Sequence, residues 1–104
     1  MQKISVQDCK ELLNREAVEI IDVREPWEVE ICDMGGKHIP MHEITEKVSM
    51  MQPENAYVIV CKTGRRAEAV ANLLETEYGF EQIFILDGGI TEWYAVERPD
   101  FEMY

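Results

Sequence analysis

The stretch Cys61-Lys62-Thr63-Gly64-Arg65-Arg66 is the part of this chain best suited to covalent chemistry. A cysteine attacks as its thiolate, and neighbouring cations or a helix N-terminus favour that form over the thiol. Three cations, Lys62, Arg65 and Arg66, follow Cys61 within five residues. Cations placed before a helix oppose its macrodipole, so the cluster calls for a compensating anion. The Cys61 thiolate and an anionic substrate are the candidates. Gly64 can take the positive φ that a tight loop needs, and Thr63 adds a hydroxyl donor. The expectation is a Cys61 thiol of depressed pKa with the loop amides turned toward it. A lone cysteine at a strand end is otherwise a small core hydrophobe, and a basic run is otherwise a solvated face. The loop taken whole argues for the reactive reading.

Such a loop needs a strand to deliver the cysteine and a helix to follow it. Tyr57-Val58-Ile59-Val60 is an apolar run without alternation, as in a parallel strand covered on both faces. After Gly64, apolar residues at Ala67, Val70, Ala71 and Leu74 follow the spacing of one helical face, and Gly79 supplies the stop. Ile83 to Leu86 is a second such strand, followed by Gly88-Gly89 and a short helix around Thr91 to Tyr94. Upstream, Ser5 caps a helix with Cys9, Leu12 and Leu13 on one stripe. Val18 to Val23 reads as a strand, Pro26 opens a second helix, Gly35-Gly36 forms a loop, and Met41 to Met51 reads as a third helix ended by Pro53. Pro99 keeps the tail from 96 to 104 from being helical. Strands alternating with helices predict an α/β fold with a parallel sheet and right-handed crossovers. Ligands in such sheets bind outside the carboxyl ends of the strands, where Cys61 lies.

The 104 residues suffice for one domain, expected to span 1–104. Ten Lys and Arg against 21 Asp and Glu give a net charge of -11, which argues against binding nucleic acid or an anionic membrane surface. The balance is -5 over residues 1–35, +1 over 36–70 and -7 over 71–104, so the segment holding Cys61 is the least acidic. Screening limits repulsion from the remainder to about 8 Å at physiological salt. Three cysteines, with no Cys-x-x-Cys pair and no zinc-like spacing to His38 or His42, suggest a reducing, cytoplasmic setting and no metal.

Three segments in order carry a family resemblance. Ile21-Asp22-Val23-Arg24-Glu25-Pro26-Trp27-Glu28, then Tyr57 to Ala67 with its Cys-x-x-Gly-x-Arg loop, then Ile85-Leu86-Asp87-Gly88-Gly89-Ile90-Thr91-Glu92-Trp93 resemble a single-domain rhodanese, a sulfurtransferase. The resemblance runs from Ile4 to Pro99. It implies a central parallel five-stranded sheet flanked by helices on both faces, and no cofactor. It also implies that Cys61 takes a sulfane sulfur from thiosulfate or another persulfide donor, carries it as a persulfide, and passes it to a thiol, cyanide or protein-cysteine acceptor. Backbone N–H groups of Lys62 to Arg66 would hold the negative sulfur, Lys62, Thr63, Gly64, Arg65 and Arg66 would bind the donor, and Asp22 and Arg24 are auxiliary candidates. The Gly-His pair common after the second helix is replaced by Ile31-Cys32, and Glu97 replaces a glycine before the final proline segment.

Two other classes remain. A phosphatase or arsenate reductase loop has five residues between its Cys and Arg, whereas Arg66 arrives one residue early for that pattern. A non-catalytic rhodanese-like module, binding or regulatory, would be marked by a buried, unreactive Cys61. The remaining residues are expected to be structural: Arg24 pairing with Glu28 or bracing the loop, Cys9 and Cys32 packed, His38 and His42 on the surface, Trp27 and Trp93 as packing anchors, and Met41, Met50 and Met51 packing a helix.

Overall fold

The computed structural model describes residues 1–15 and 17–104. Five parallel strands, β1 (Gln2–Ile4), β2 (Val18–Asp22), β3 (Lys37–His38), β4 (Ala56–Val60) and β5 (Gln82–Leu86), form one sheet in the order β1-β5-β4-β2-β3. The helices are α1 (Val6–Arg15), α2 (Pro26–Ile31), α3 (Ile44–Lys47), α4 (Arg65–Tyr78) and α5 (Gly89–Glu97).

Every residue of β4 is buried, because successive side chains enter two different cores. Ile21, Val23, Tyr57, Ile59, Ile83 and Ile85 face a layer containing Ala67, Val70, Ala71 and Leu74 of α4. Ile20, Val58, Val60 and Leu86 face the other layer, with Val6 and Cys9 of α1 and Ile90 of α5. The unalternating runs of the sequence follow from this two-sided cover. Truncating Leu74, fully buried at the end of the α4 stripe, to Ala would cost about 2–5 kcal/mol.

Local signals behave as their chemistry requires. The Asp8 amide donates to Ser5 Oγ at 3.0 Å, capping α1. Gly79 ends α4 in the left-handed region, and the Phe80 amide returns to the Leu74 carbonyl at 3.1 Å.

The edge strands β1 and β3 are three and two residues long, too short for any periodicity. Their places are set by the neighbouring strands, as where the Asp87 amide reaches the Ile4 carbonyl at 2.8 Å. The stretch from Met41 to Met50 is not one helix: a 3-10 turn, the four-residue α3 and another 3-10 turn follow one another. Only Ile44 and Met51 of this region are buried, while Met41 and Met50 are exposed. Trp27 is exposed rather than a core anchor, whereas Trp93 packs against the α1 side of the sheet. Helix α5 extends to Glu97, well beyond Tyr94.

Candidate active site

Cys61 follows the last residue of the central strand β4, at the carboxyl edge of the sheet. Its sulfur accepts the Gly64 amide at 3.1 Å and the Ala67 amide at 3.4 Å. The chain therefore curls around Sγ before entering α4. Gly64 makes the curl possible, with a φ of 108° that disfavours any side chain. The amide of Ala67 belongs to the first turn of α4, where N–H groups lack helical partners and carry partial positive charge. Converging donors of this kind stabilise negative charge on sulfur.

A second helix N-terminus grips the same loop from behind. The Ile90 amide donates to the Cys61 carbonyl at 2.9 Å and the Thr91 amide to the Lys62 carbonyl at 3.0 Å. This approach is close enough that a Cβ on Gly89 would overlap both carbonyls. The sulfur thus faces the amides of one helix while the carbonyls face those of another. The Cys61 residue as a whole is 1% exposed.

The three loop cations have different environments. Arg65 is exposed and makes no ion pair among the described residues. Arg66 forms two parallel hydrogen bonds to the buried Glu28, Nη1 to Oε1 at 2.7 Å and Nη2 to Oε2 at 2.9 Å. The Lys62 ammonium lies over the Tyr104 ring, 4.5 Å from its centroid. Thr63 is exposed at the outer edge of the loop.

Glu28 gathers most of this. Besides Arg66 it accepts the Glu25 amide at 2.9 Å, closing the first turn of α2, and the Tyr104 hydroxyl at 2.7 Å. The Arg66 hydrogen bonds hold its carboxyl down at about 2, with burial opposing. The same pair raises Arg66 above the ordinary guanidinium range.

Asp22 and Arg24 are sealed in, at 1% and 0% exposure, and so offer no surface to a substrate. Arg24 binds Asp22 with Nε at 3.0 Å and Nη2 at 2.8 Å. It also reaches the Cys32 carbonyl at 2.7 Å and the Glu28 carbonyl at 3.3 Å, tying the end of β2 to the end of α2. Burial pulls its pKa down, but the hydrogen bonds to Asp22 and Tyr104 outweigh that and hold it high. The expected Arg24–Glu28 pairing therefore runs through the Glu28 main chain, because Arg66 takes the carboxylate. His38 is half-buried, its Nε2 2.6 Å from the Arg24 carbonyl, while His42 is exposed.

Cys9, Cys32 and Cys61 are all free and buried. Burial raises the Cys9 thiol to about 11, which makes it a poor nucleophile. Cys32 Sγ lies 3.7 Å from Arg24 Nη1 in the α1-side core.

Residues 5–96 match the family model of the rhodanese-like domain. The chain belongs to the rhodanese-like family. The thiosulfate sulfurtransferase GlpE of Pseudoalteromonas translucida is 35% identical over 105 residues, covering 95% of this chain and 94% of that protein. The putative sulfurtransferase YtwF of Bacillus subtilis is 33% identical over 101 residues, covering 95% and 96%. The crystal structure of a rhodanese-related protein from Thermoplasma volcanium superposes with a TM-score of 0.79 at 28% identity, covering 92% of this chain and 93% of that one. The expected rhodanese-like α/β fold and its five-stranded parallel sheet are present. Among the described residues, no helix of this rhodanese-like chain is long and apolar enough to cross a membrane.

Reasoning from the sequence named Glu28 only as a partner for Arg24 and gave neither Gly89 nor Tyr104 a role at this site. Glu28 carried a usable signal, since a glutamate three residues after Glu25 in a helix opened by Pro26 is a capping pattern. Gly89 lay within a Gly-Gly turn whose close approach to the loop has no local signature. Tyr104 carried no signal, because only the path of the tail brings it here.

Proposed function

We propose that this chain is a sulfurtransferase with Cys61 as its nucleophile. The observation that carries the reading is the pair of amides, from Gly64 and Ala67, converging on Sγ. The Cys61 thiolate attacks the outer sulfur of thiosulfate, a new S–S bond forms, and the S–S bond of the donor breaks. Sulfite leaves with the bonding electron pair, and Cys61 is left as a persulfide anion. The terminal sulfur sits where the loop amides and the first turn of α4 stabilise its charge. A thiolate or cyanide acceptor then attacks that sulfur and releases the Cys61 thiolate, giving a persulfide or thiocyanate. This is a two-step covalent cycle with ping-pong kinetics.

Arg65 is placed to attract an anionic donor to the loop. Arg66 and Lys62 shape the loop as well as contribute charge, given their contacts with Glu28 and Tyr104. Three free thiols accord with a reducing, cytoplasmic setting, and residues 1–104 would act as one unit.

The test is intact mass after incubation with thiosulfate. A gain of one sulfur, removed by cyanide and absent in Cys61→Ser, is expected. Cys9→Ser and Cys32→Ser keep the gain. The 1% exposure of Cys61 favours a second reading, a non-catalytic module. Absence of both sulfur loading and iodoacetamide labelling at Cys61 would establish that reading instead.

A further inference from the structure

The tail after α5 does not trail into solvent. The Arg98 amide donates to the Tyr94 carbonyl at 2.7 Å, and the Phe101 amide returns to the Arg98 carbonyl at 2.9 Å. The Phe101 ring rests 4.7 Å from that of Tyr94, whose hydroxyl accepts the Asp33 amide at 3.2 Å. This anchored turn carries Tyr104 to the loop that follows Cys61, where it meets Lys62, 42 residues away in sequence.

At its destination Tyr104 is fully engaged. Its hydroxyl donates to Glu28 Oε2 at 2.7 Å and accepts from Arg24 Nη1 at 3.2 Å. Its ring lies edge-on to exposed Trp27, with centroids 5.8 Å apart. Two cations face the ring: the Arg24 guanidinium at 6.0 Å from the centroid and the Lys62 ammonium at 4.5 Å, the latter well within the 6 Å or so at which a cation is attracted to an aromatic face. One side chain therefore touches Lys62 directly and Arg66 through Glu28. A lysine has four rotatable bonds and samples many positions when unpartnered. The ring restricts that sampling and holds the charge over Tyr104, at the residue that follows Cys61.

Resting on the sulfurtransferase reading, we propose that Tyr104 is a positioning residue for capture of the anionic sulfur donor, its ring holding the Lys62 ammonium at the Cys61 loop. The ring does this work, and the hydroxyl secures the ring to Glu28. The acidic tail thereby contributes a device for anion capture although its own charge would repel the donor.

The test compares Cys61 alkylation by iodoacetate with that by iodoacetamide, reagents of similar size that differ in charge. The ratio of the two rates reports local positive potential and needs no sulfur transfer. Tyr104→Leu is expected to lower the ratio by about two- to five-fold, and to raise KM for thiosulfate by a similar factor with kcat little changed. Tyr104→Phe keeps most of the ratio. In a Lys62→Met background, Tyr104→Leu has no further effect. Equal ratios in wild type and Tyr104→Leu overturn the proposal, as does a loss in Tyr104→Phe matching that in Tyr104→Leu. Should Tyr104→Leu not fold, Lys62→Met alone must lower the ratio, and an unchanged ratio there overturns the proposal too. A Cys61 that neither reagent reaches also overturns it, because a site closed to so small an anion has no donor to attract. Normal sulfur loading with an unaltered ratio defeats this inference alone; an altered ratio without sulfur loading defeats only the sulfurtransferase reading.

Discussion

Arg66 and Glu28 stand 38 residues apart and meet through two parallel hydrogen bonds of 2.7 and 2.9 Å. The contact joins the first turn of α4, which cradles Cys61, to the first turn of α2. The Glu28 side chain is 3% exposed, so its charge depends on this partner. A planar guanidinium matching a carboxylate with two bonds fixes orientation as well as distance.

Removing one member of this pair should be worse than removing both. Arg66→Ala leaves the buried Glu28 carboxylate without its ion-pair partner and, because the Arg66 side chain is itself 35% exposed, should cost about 2–3 kcal/mol of stability, less than for a pair buried on both sides. Glu28→Leu with Arg66→Leu should recover part of that loss, because the buried Glu28 charge is then no longer left without its partner. Urea denaturation of the single and double variants measures this, and strictly additive losses would contradict it.

Acid should weaken the same contact. Glu28 is held at about 2 against an ordinary 4.5. The depressed value means that its contribution is fully present above about pH 4.5 and is lost as pH falls toward 2. Over that window the change is roughly 3 kcal/mol. Stability of wild type should drop more steeply between pH 5 and pH 3 than that of Glu28→Gln, read by denaturation at each pH. Parallel curves would remove Glu28 from the acid response.

Gly89 should tolerate no side chain. Its φ of 61° already disfavours one, and the Cβ would meet the Cys61 and Lys62 carbonyl oxygens, which are backbone and cannot swing aside. Gly89→Ala should cost more than about 2 kcal/mol, and it should slow Cys61 alkylation by displacing the loop. A thermal melt and an iodoacetamide time course are sufficient, and a variant matching wild type in both would show that α5 does not clamp the loop.

The loop cations should separate by function. Arg65 is exposed, so Arg65→Ala removes only a screened attraction worth up to about 1 kcal/mol. It should raise KM for thiosulfate by no more than about five-fold, lower the salt sensitivity of kcat/KM, and leave the melting temperature alone. Arg66→Ala should lower both melting temperature and kcat/KM, because Arg66 carries Glu28. Should Arg65→Ala and Arg66→Ala destabilise equally, the Glu28 contact is not what distinguishes them.

The layered fold was legible because each of its main signals is local. Two buried β-branched strands, a capping serine at Ser5, and an apolar face ended by Gly79 depend on neighbours a few residues away. The Cys61 loop was legible for the same reason, since strand end, cysteine, glycine and helix start are contiguous. Tertiary structure decided what lies between segments. Short edge strands take their place from the strands they join. Arg24 and Asp22 became buried braces because the space at the end of β2 closes over them. Arg66 was given to Glu28, Lys62 to Tyr104, and the loop carbonyls to the amides beyond Gly89. None of these pairings has a spacing to read, because contacts between distant segments are set by the packing of whole elements. The sequence therefore located a cysteine site with three nearby cations, and the fold decided that Arg66 is held by Glu28 and Lys62 by the Tyr104 ring, while Arg65 makes no ion pair among the described residues.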